Sequence, residues 1–161
     1  MLSTMERCLS RALTATFEEL ALICPDTKLS DVQSAAVLDV AVAVSFNGPL
    51  SGRLVLRASS RILPGIAKNM LGTDGECPFA VQRDALGELA NVICGNALPM
   101  IGGVEAVFVL SAPYAYVTGA EPHRCTPVSR ACIGIDDGRV VAQLLLSDDS
   151  LLSLGLTAAA A

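Results

Sequence analysis

Between residues 37 and 57 the chain alternates apolar and small residues, breaks, and then alternates again. Val40, Val42, Val44 and Phe46 fall on one side of a predicted strand, with small residues on the other. Asn47-Gly48-Pro49 supplies turn chemistry, and Leu50 to Arg57 reads as the partner strand, with Leu50, Leu54 and Leu56 inward and Arg53 and Arg57 outward. Strands joined by so short a turn must run antiparallel, because a parallel crossover needs about a dozen residues or more. The remaining elements have to be arranged around that ladder.

Before the hairpin, Ser3-Thr4-Met5-Glu6 resembles a capping box, and Leu9, Leu13, Phe17, Leu20 and Ala21 follow at helical spacing up to Cys24-Pro25. Residues 25 to 36 are polar, have no clear period and read as a loop. After the hairpin, Ser59-Ser60 opens a short helix with Pro64 in its first turn and a stop at Gly72. Pro78 is placed to start a longer helix. Beyond Gly102-Gly103 the period becomes two, so Val104 to Ser111 reads as a third strand, with Val104, Ala106, Phe108 and Leu110 on one face. Residues 112 to 129, with three prolines, read as a loop or irregular edge around Tyr114-Ala115-Tyr116-Val117. Arg130 to Ile135 and Arg139 to Ser147 flank the hairpin signal Asp136-Asp137-Gly138. Helices and strands therefore do not alternate one for one. The expected fold is α+β, a mostly antiparallel sheet with helices packed on one face, in a single domain over residues 1–161 whose last residues, 156–161, fray.

Composition narrows the function. Hydrophobic residues make up 52% and charged residues 17%, which implies a large apolar interior or an additional buried interface. The formal charge of −5, the dispersed Lys and Arg and the 4% of aromatic residues lack the footprint of a nucleic-acid binder. Six cysteines show no CxxC pair and read as buried or surface thiols; a metal site using His123, Cys125 and Cys132 is the lesser alternative. The chain opens without a secretory signal pattern, and no apolar run approaches the length of a membrane span. A cytoplasmic protein with reduced thiols and no membrane association is expected.

The stretch Asp84 to Ala97 has two opposed faces. At about 100° per residue, Leu86, Leu89, Ala90, Ile93 and Ala97 share one side, while Asp84, Glu88, Asn91 and Gly95 share the other. Glu88 and Asn91, three residues apart, can reach into one external groove together. Gly87 and Gly95 each cost about 1 kcal/mol against alanine within a helix. Their bareness would let a partner's backbone approach the ridge. Alternatively, Gly95-Asn96 is a left-handed cap and Gly87 accommodates a neighbouring strand.

Three pieces of this chain together resemble the CheX and CheC group of bacterial chemotaxis phosphatases, CheX more closely. They are the hairpin stretch Phe46 to Leu56, the helix end Ala67-Lys68-Asn69-Met70-Leu71-Gly72, and Asp84 to Asn91 with Gly95-Asn96-Ala97. The family signature is an acidic residue or serine, a Glu four positions on, an Asn three beyond that, and a proline some twenty residues later; Asp84, Glu88, Asn91 and Pro113 match it. The first helix lacks a Glu-x-x-Asn, so the resemblance implies one active ridge per chain, as in CheX and unlike CheC.

The resemblance further implies a hydrolase acting on the phospho-aspartate of a CheY-type receiver domain in chemotaxis or two-component signalling. Glu88 would pair with the receiver's active-site lysine and Asn91 would orient the attacking water, while Asp84, Gly87 and Gly95 would belong to the docking ridge. No cofactor or metal of its own is expected, the magnesium being the receiver's, and the chain would pair as a homodimer through sheet edges. The alternative is a scaffold of the same fold that binds a receiver or a flagellar switch component without catalysis.

Overall fold

In the computed structural model, which describes residues 2–117 and 124–157, the expected hairpin lies in the interior of the sheet. Strand β1 (Val40–Asn47) pairs antiparallel with β2 (Gly52–Ala58), Val44 opposite Leu54. On its other side β2 pairs with β6 (Gly138–Ser147), Leu54 opposite Leu144, and β6 pairs with β5 (Cys125–Ile135). The outer edge of β1 carries two short strands, β3 (Val109–Leu110) and β4 (Tyr114–Ala115), giving the order β3-β1-β2-β6-β5 with β4 also on β1. Every pairing is antiparallel.

One face of this sheet carries the main core. Val42, Val44, Phe46, Leu54, Leu56, Val140, Ala142, Leu144 and Leu146 meet the apolar sides of α1 (Leu2–Glu19), α3 (Leu63–Leu71) and α4 (Phe79–Gly102). Helix α1 lies on β5 and α4, and α4 lies on β1 and α3. Leu86, Leu89, Ile93 and Leu98 anchor α4 and are fully buried. Each such side chain contributes about 1.5–3 kcal/mol relative to an exposed one. On the opposite face Ala43, Val55 and Leu145 form a smaller cluster with Tyr116 and Cys125 against it. The fold is the expected α+β arrangement, and no described helix is long and apolar enough to cross a membrane.

Several boundaries differ from the sequence reading. Helix α1 begins at Leu2, ahead of the Ser3 cap. The loop over residues 25–36 contains a one-turn helix, α2 (Asp31–Ala35), held by a reciprocal capping box between Ser30 and Gln33. The third strand shrinks to Val109–Leu110. Ala106, Phe108 and Leu110 are half-buried as the alternation requires, but Val104, expected on the same face, is 91% exposed in a turn closed by the Ala106 N–H to the Gly103 carbonyl. Val109 already pairs with Asn47, the last residue of β1, so nothing remains for residues 104–107 to pair with. Strand β5 starts at Cys125, and Pro127 is tolerated because β5 is an edge strand with a register irregularity between Pro127 and Ser129. The hairpin at Asp136 turns with that residue at φ 48°, and α3 stops at a left-handed Gly72, both as expected. A further short helix, α5 (Asp148–Ser153), is capped by the Ser147 side chain. His123 and the terminal alanines at 158–161 lie outside the described residues.

Gln33 clasps the connector onto the far end of the sheet. Its side chain is buried and donates to Asp26 Oδ2 at 2.7 Å and to the Asp136 carbonyl at 3.0 Å, and it accepts from the Ser30 backbone N–H at 2.9 Å. Asp26 and Gly134 exchange backbone hydrogen bonds beside it. Removing the carboxamide would leave three partners unsatisfied at a partly buried site. Gln33→Ala is therefore expected to lower unfolding stability by about 1–3 kcal/mol, read from the urea midpoint at unchanged m-value.

Candidate functional site

The polar side of α4 faces a groove of about 460 Å³. Arg83, Asp84, Gly87, Glu88 and Asn91 form one wall, Pro113, Tyr114 and Ala115 the other, with Val42 completing the lining. Arg83, Asp84 and Glu88 are exposed and Asn91 is half-buried. None of these four side chains makes a hydrogen bond or ion pair with another described residue. Here Asp84 and Glu88, four apart, carry like charges.

The opposite wall exists because the segment from Val109 to Tyr116 follows the edge of β1 in two registers. Leu110 stands opposite Phe46, and the Ser111 N–H donates to the Ser45 carbonyl at 2.9 Å. Tyr114 stands opposite Ala43, and the Tyr116 N–H donates to the Ala41 carbonyl at 3.0 Å. Between those pairings the outer segment advances four residues while β1 advances three, so one extra residue bulges out at Ala112-Pro113. Proline suits that place because it has no N–H for the ladder to lose. Tyr114 and Ser45 join their hydroxyls at 2.9 Å, fastening the segment beyond the bulge.

Pro113 is pressed toward Gly87. A Cβ on Gly87 would stand 3.0 Å from Pro113 Cβ, tighter than side chains normally tolerate. Gly87 thus makes room for this chain's own groove wall, the accommodation of a neighbouring strand anticipated as one of its two roles. Gly95-Asn96 does not cap the helix, which continues to Gly102. Gly95 does not line the groove; Leu110 is the nearest neighbour of a Cβ built there, at 3.8 Å. Pro99 follows four residues later, inside the helix, so the Gly95 carbonyl has no N–H donor at its usual i+4 position. A residue without a side chain absorbs that local distortion most easily.

Four of the five residues singled out on the helix therefore meet in one groove, together with the signature proline. The sequence reading missed Arg83, Val42, Tyr114 and Ala115 as lining residues. Arg83 could have been found, since it lies four residues before Gly87 on the same ridge. Tyr114 and Ala115 become neighbours only through the bulged pairing with β1. Among the described residues no group of three His, Cys, Asp or Glu side chains could hold a metal ion. All six cysteines are free, and burial pushes the Cys94 thiol on the inner side of α4 up to about 12.

The contact between Gly87 and Pro113 should control the position of the far wall. Gly87→Leu is expected to displace Pro113, and the Tyr116 amide should then exchange with solvent faster than in the wild type. Unchanged protection at Tyr116 would show that Gly87 does not hold the wall.

Comparison with known proteins agrees with the geometry. The family described as chemotaxis phosphatase CheX matches residues 40–136. No curated protein sequence matches the chain. Among solved structures, a chemotaxis protein CheX from Desulfovibrio desulfuricans is similar over 89% of this chain and 99% of its own, at 19% identity and TM-score 0.69. A chain of the CheX-CheY-BeF3-Mg2+ complex from Borrelia burgdorferi is similar over 88% and 96%, at 13% identity and TM-score 0.60. The FliM middle domain from H. pylori is similar over 95% of each chain, at 13% identity and TM-score 0.62. At these identities the structural likeness concerns the fold.

Proposed function

This chain belongs to the CheX family of chemotaxis phosphatases, and on that premise we propose that it hydrolyses the aspartyl phosphate of a CheY-type receiver domain, with Glu88 and Asn91 as the site. The observation that carries the reading is the groove itself, in which Asp84, Glu88 and Asn91 stand side by side with their polar groups unspent. A neighbouring structure, that of the Borrelia burgdorferi complex, contains a CheX together with a CheY, which supports a receiver as the partner.

In the proposed reaction the oxygen of a water attacks phosphorus in line with the acyl P–O bond. That bond breaks, its electron pair leaves with the aspartate carboxylate, and the water's proton is released as inorganic phosphate forms. An acyl phosphate already has a good leaving group, so positioning and charge stabilisation can supply the acceleration without a strong base. The Asn91 carboxamide offers an oxygen to accept from the water and an NH2 to donate to a phosphoryl oxygen. Glu88, exposed one turn away, would accept from a cation on the receiver, aligning the phosphoryl group with Asn91. Magnesium held by the receiver would neutralise charge on the phosphoryl oxygens. Homodimerisation through sheet edges is part of the proposal.

The test is phosphate loss from a purified, phosphorylated CheY-type receiver. Wild type should accelerate the receiver's own decay, and Asn91→Ala should reduce that acceleration by about 100-fold or more while still binding the receiver. Equal activity of the two proteins would remove Asn91 from the mechanism. Docking without acceleration by wild type would favour the scaffold reading.

A further inference from the structure

Glu88 and Asn91 lie three residues apart, about 4.5 Å along the helix axis, too small a footing to hold a protein. A specific interface covers about 800 Å² on each partner. The rest must come from neighbouring surface, and the groove shows in which direction it runs. It extends from Asn91 back toward the start of α4 as far as Arg83 and does not include Gly95.

Phe79, Arg83, Gly87 and Asn91 are spaced four apart, which places them on one slowly turning ridge about 18 Å long. Arg83 is exposed, and Phe79 opens the helix with 52% of its surface in solvent. The fold leaves that half of the phenylalanine uncovered. Arg83 is the one cation among the described lining residues. Electrostatics supplies the second consideration. The chain carries a formal charge of −5, and Asp84 and Glu88 sit on the ridge itself. An acidic group on the partner would be repelled by Asp84 and Glu88 and meets its one opposite charge in the groove at Arg83.

Resting on the receiver-docking reading above, we propose that Arg83 and Phe79 are specificity-determining contacts for the receiver. Arg83 pairs with carboxylates beside the phosphorylated aspartate, and Phe79 packs on an apolar patch farther from it. Together with Glu88 and Asn91 they fix the direction in which the receiver lies along α4. A cation at one end and an anion nearer the reacting centre can be matched in only one orientation, which is how charge placement sets register.

The experiment measures the affinity of the full chain for a CheY-type receiver loaded with beryllofluoride and magnesium, at low and moderate salt. Arg83→Glu is expected to weaken binding by about tenfold or more at low salt and to flatten its salt dependence; Arg83→Gln should do so less. Phe79→Ala should weaken binding by several-fold with the wild-type salt dependence retained. With phosphorylated receiver, both losses should appear in KM rather than kcat. All three variants alter exposed side chains, and thermal unfolding checks that each is folded. If wild type binds and the variants match it within about twofold, this inference fails while the receiver reading stands. If wild type binds no receiver, the reading beneath it fails as well.

Discussion

The groove depends on a change of register along the outer edge of β1. Leu110 faces Phe46 and Tyr114 faces Ala43, so the outer segment must carry one residue more than β1 between those pairs. That residue cannot lie in the ladder and is expelled as a bulge at Ala112-Pro113. The bulge meets α4 at Gly87, where a side chain would leave only 3.0 Å to Pro113 Cβ. A regular strand here would lie flat against β1 and offer α4 no opposing wall. The bare position on the helix and the proline on the edge segment are two halves of one contact.

That contact frames the polar side of α4, whose stability comes from elsewhere. Helix α4 is anchored by Leu86, Leu89, Ile93 and Leu98, while the side chains of Arg83, Asp84, Glu88 and Asn91 make no hydrogen bond or ion pair with another described residue. Local rules of helix design are broken on this helix: Gly87 and Gly95 occupy its interior, Pro99 interrupts its hydrogen bonding, and Asp84 and Glu88 repel one another. Departures of this kind concentrate where a protein acts rather than where it is held together. The inner-face Cys94 shows the contrast, its thiol being raised by desolvation and serving as packing.

The same architecture is found in CheX proteins and in the FliM middle domain, so the sheet and its helices do not by themselves select an activity. Selection lies in the side chains that α4 turns outward and in the shape of the edge segment opposite them. The wall has no charged side chain, so the charge of the groove comes entirely from the helix.

The sequence by itself determined which residues face the helices, because the periods of strand and helix are local properties of the chain; Arg53, read as outward, does lie on the opposite face but is buried there beside Cys125. The alternation from Val40 to Phe46, the turn at Asn47-Gly48-Pro49, the Gly72 stop, the Asp136-Asp137-Gly138 hairpin and the polar ridge of Asp84, Glu88 and Asn91 were all legible for that reason. Only the tertiary structure decided where pairing begins and ends, since a strand extends only as far as its neighbour offers partners. Residues 104–107 lie beyond the end of β1, where Val104 and Glu105 fold into an exposed turn instead of continuing the strand, and Pro127 joins β5 because that edge asks nothing of its missing N–H. The Gly87 contact with Pro113 joins residues far apart in the chain, so no local pattern could assign the glycine to the groove wall rather than to a partner. Gly95, which shares the helix face of Glu88, was left outside the groove by the same long-range arrangement.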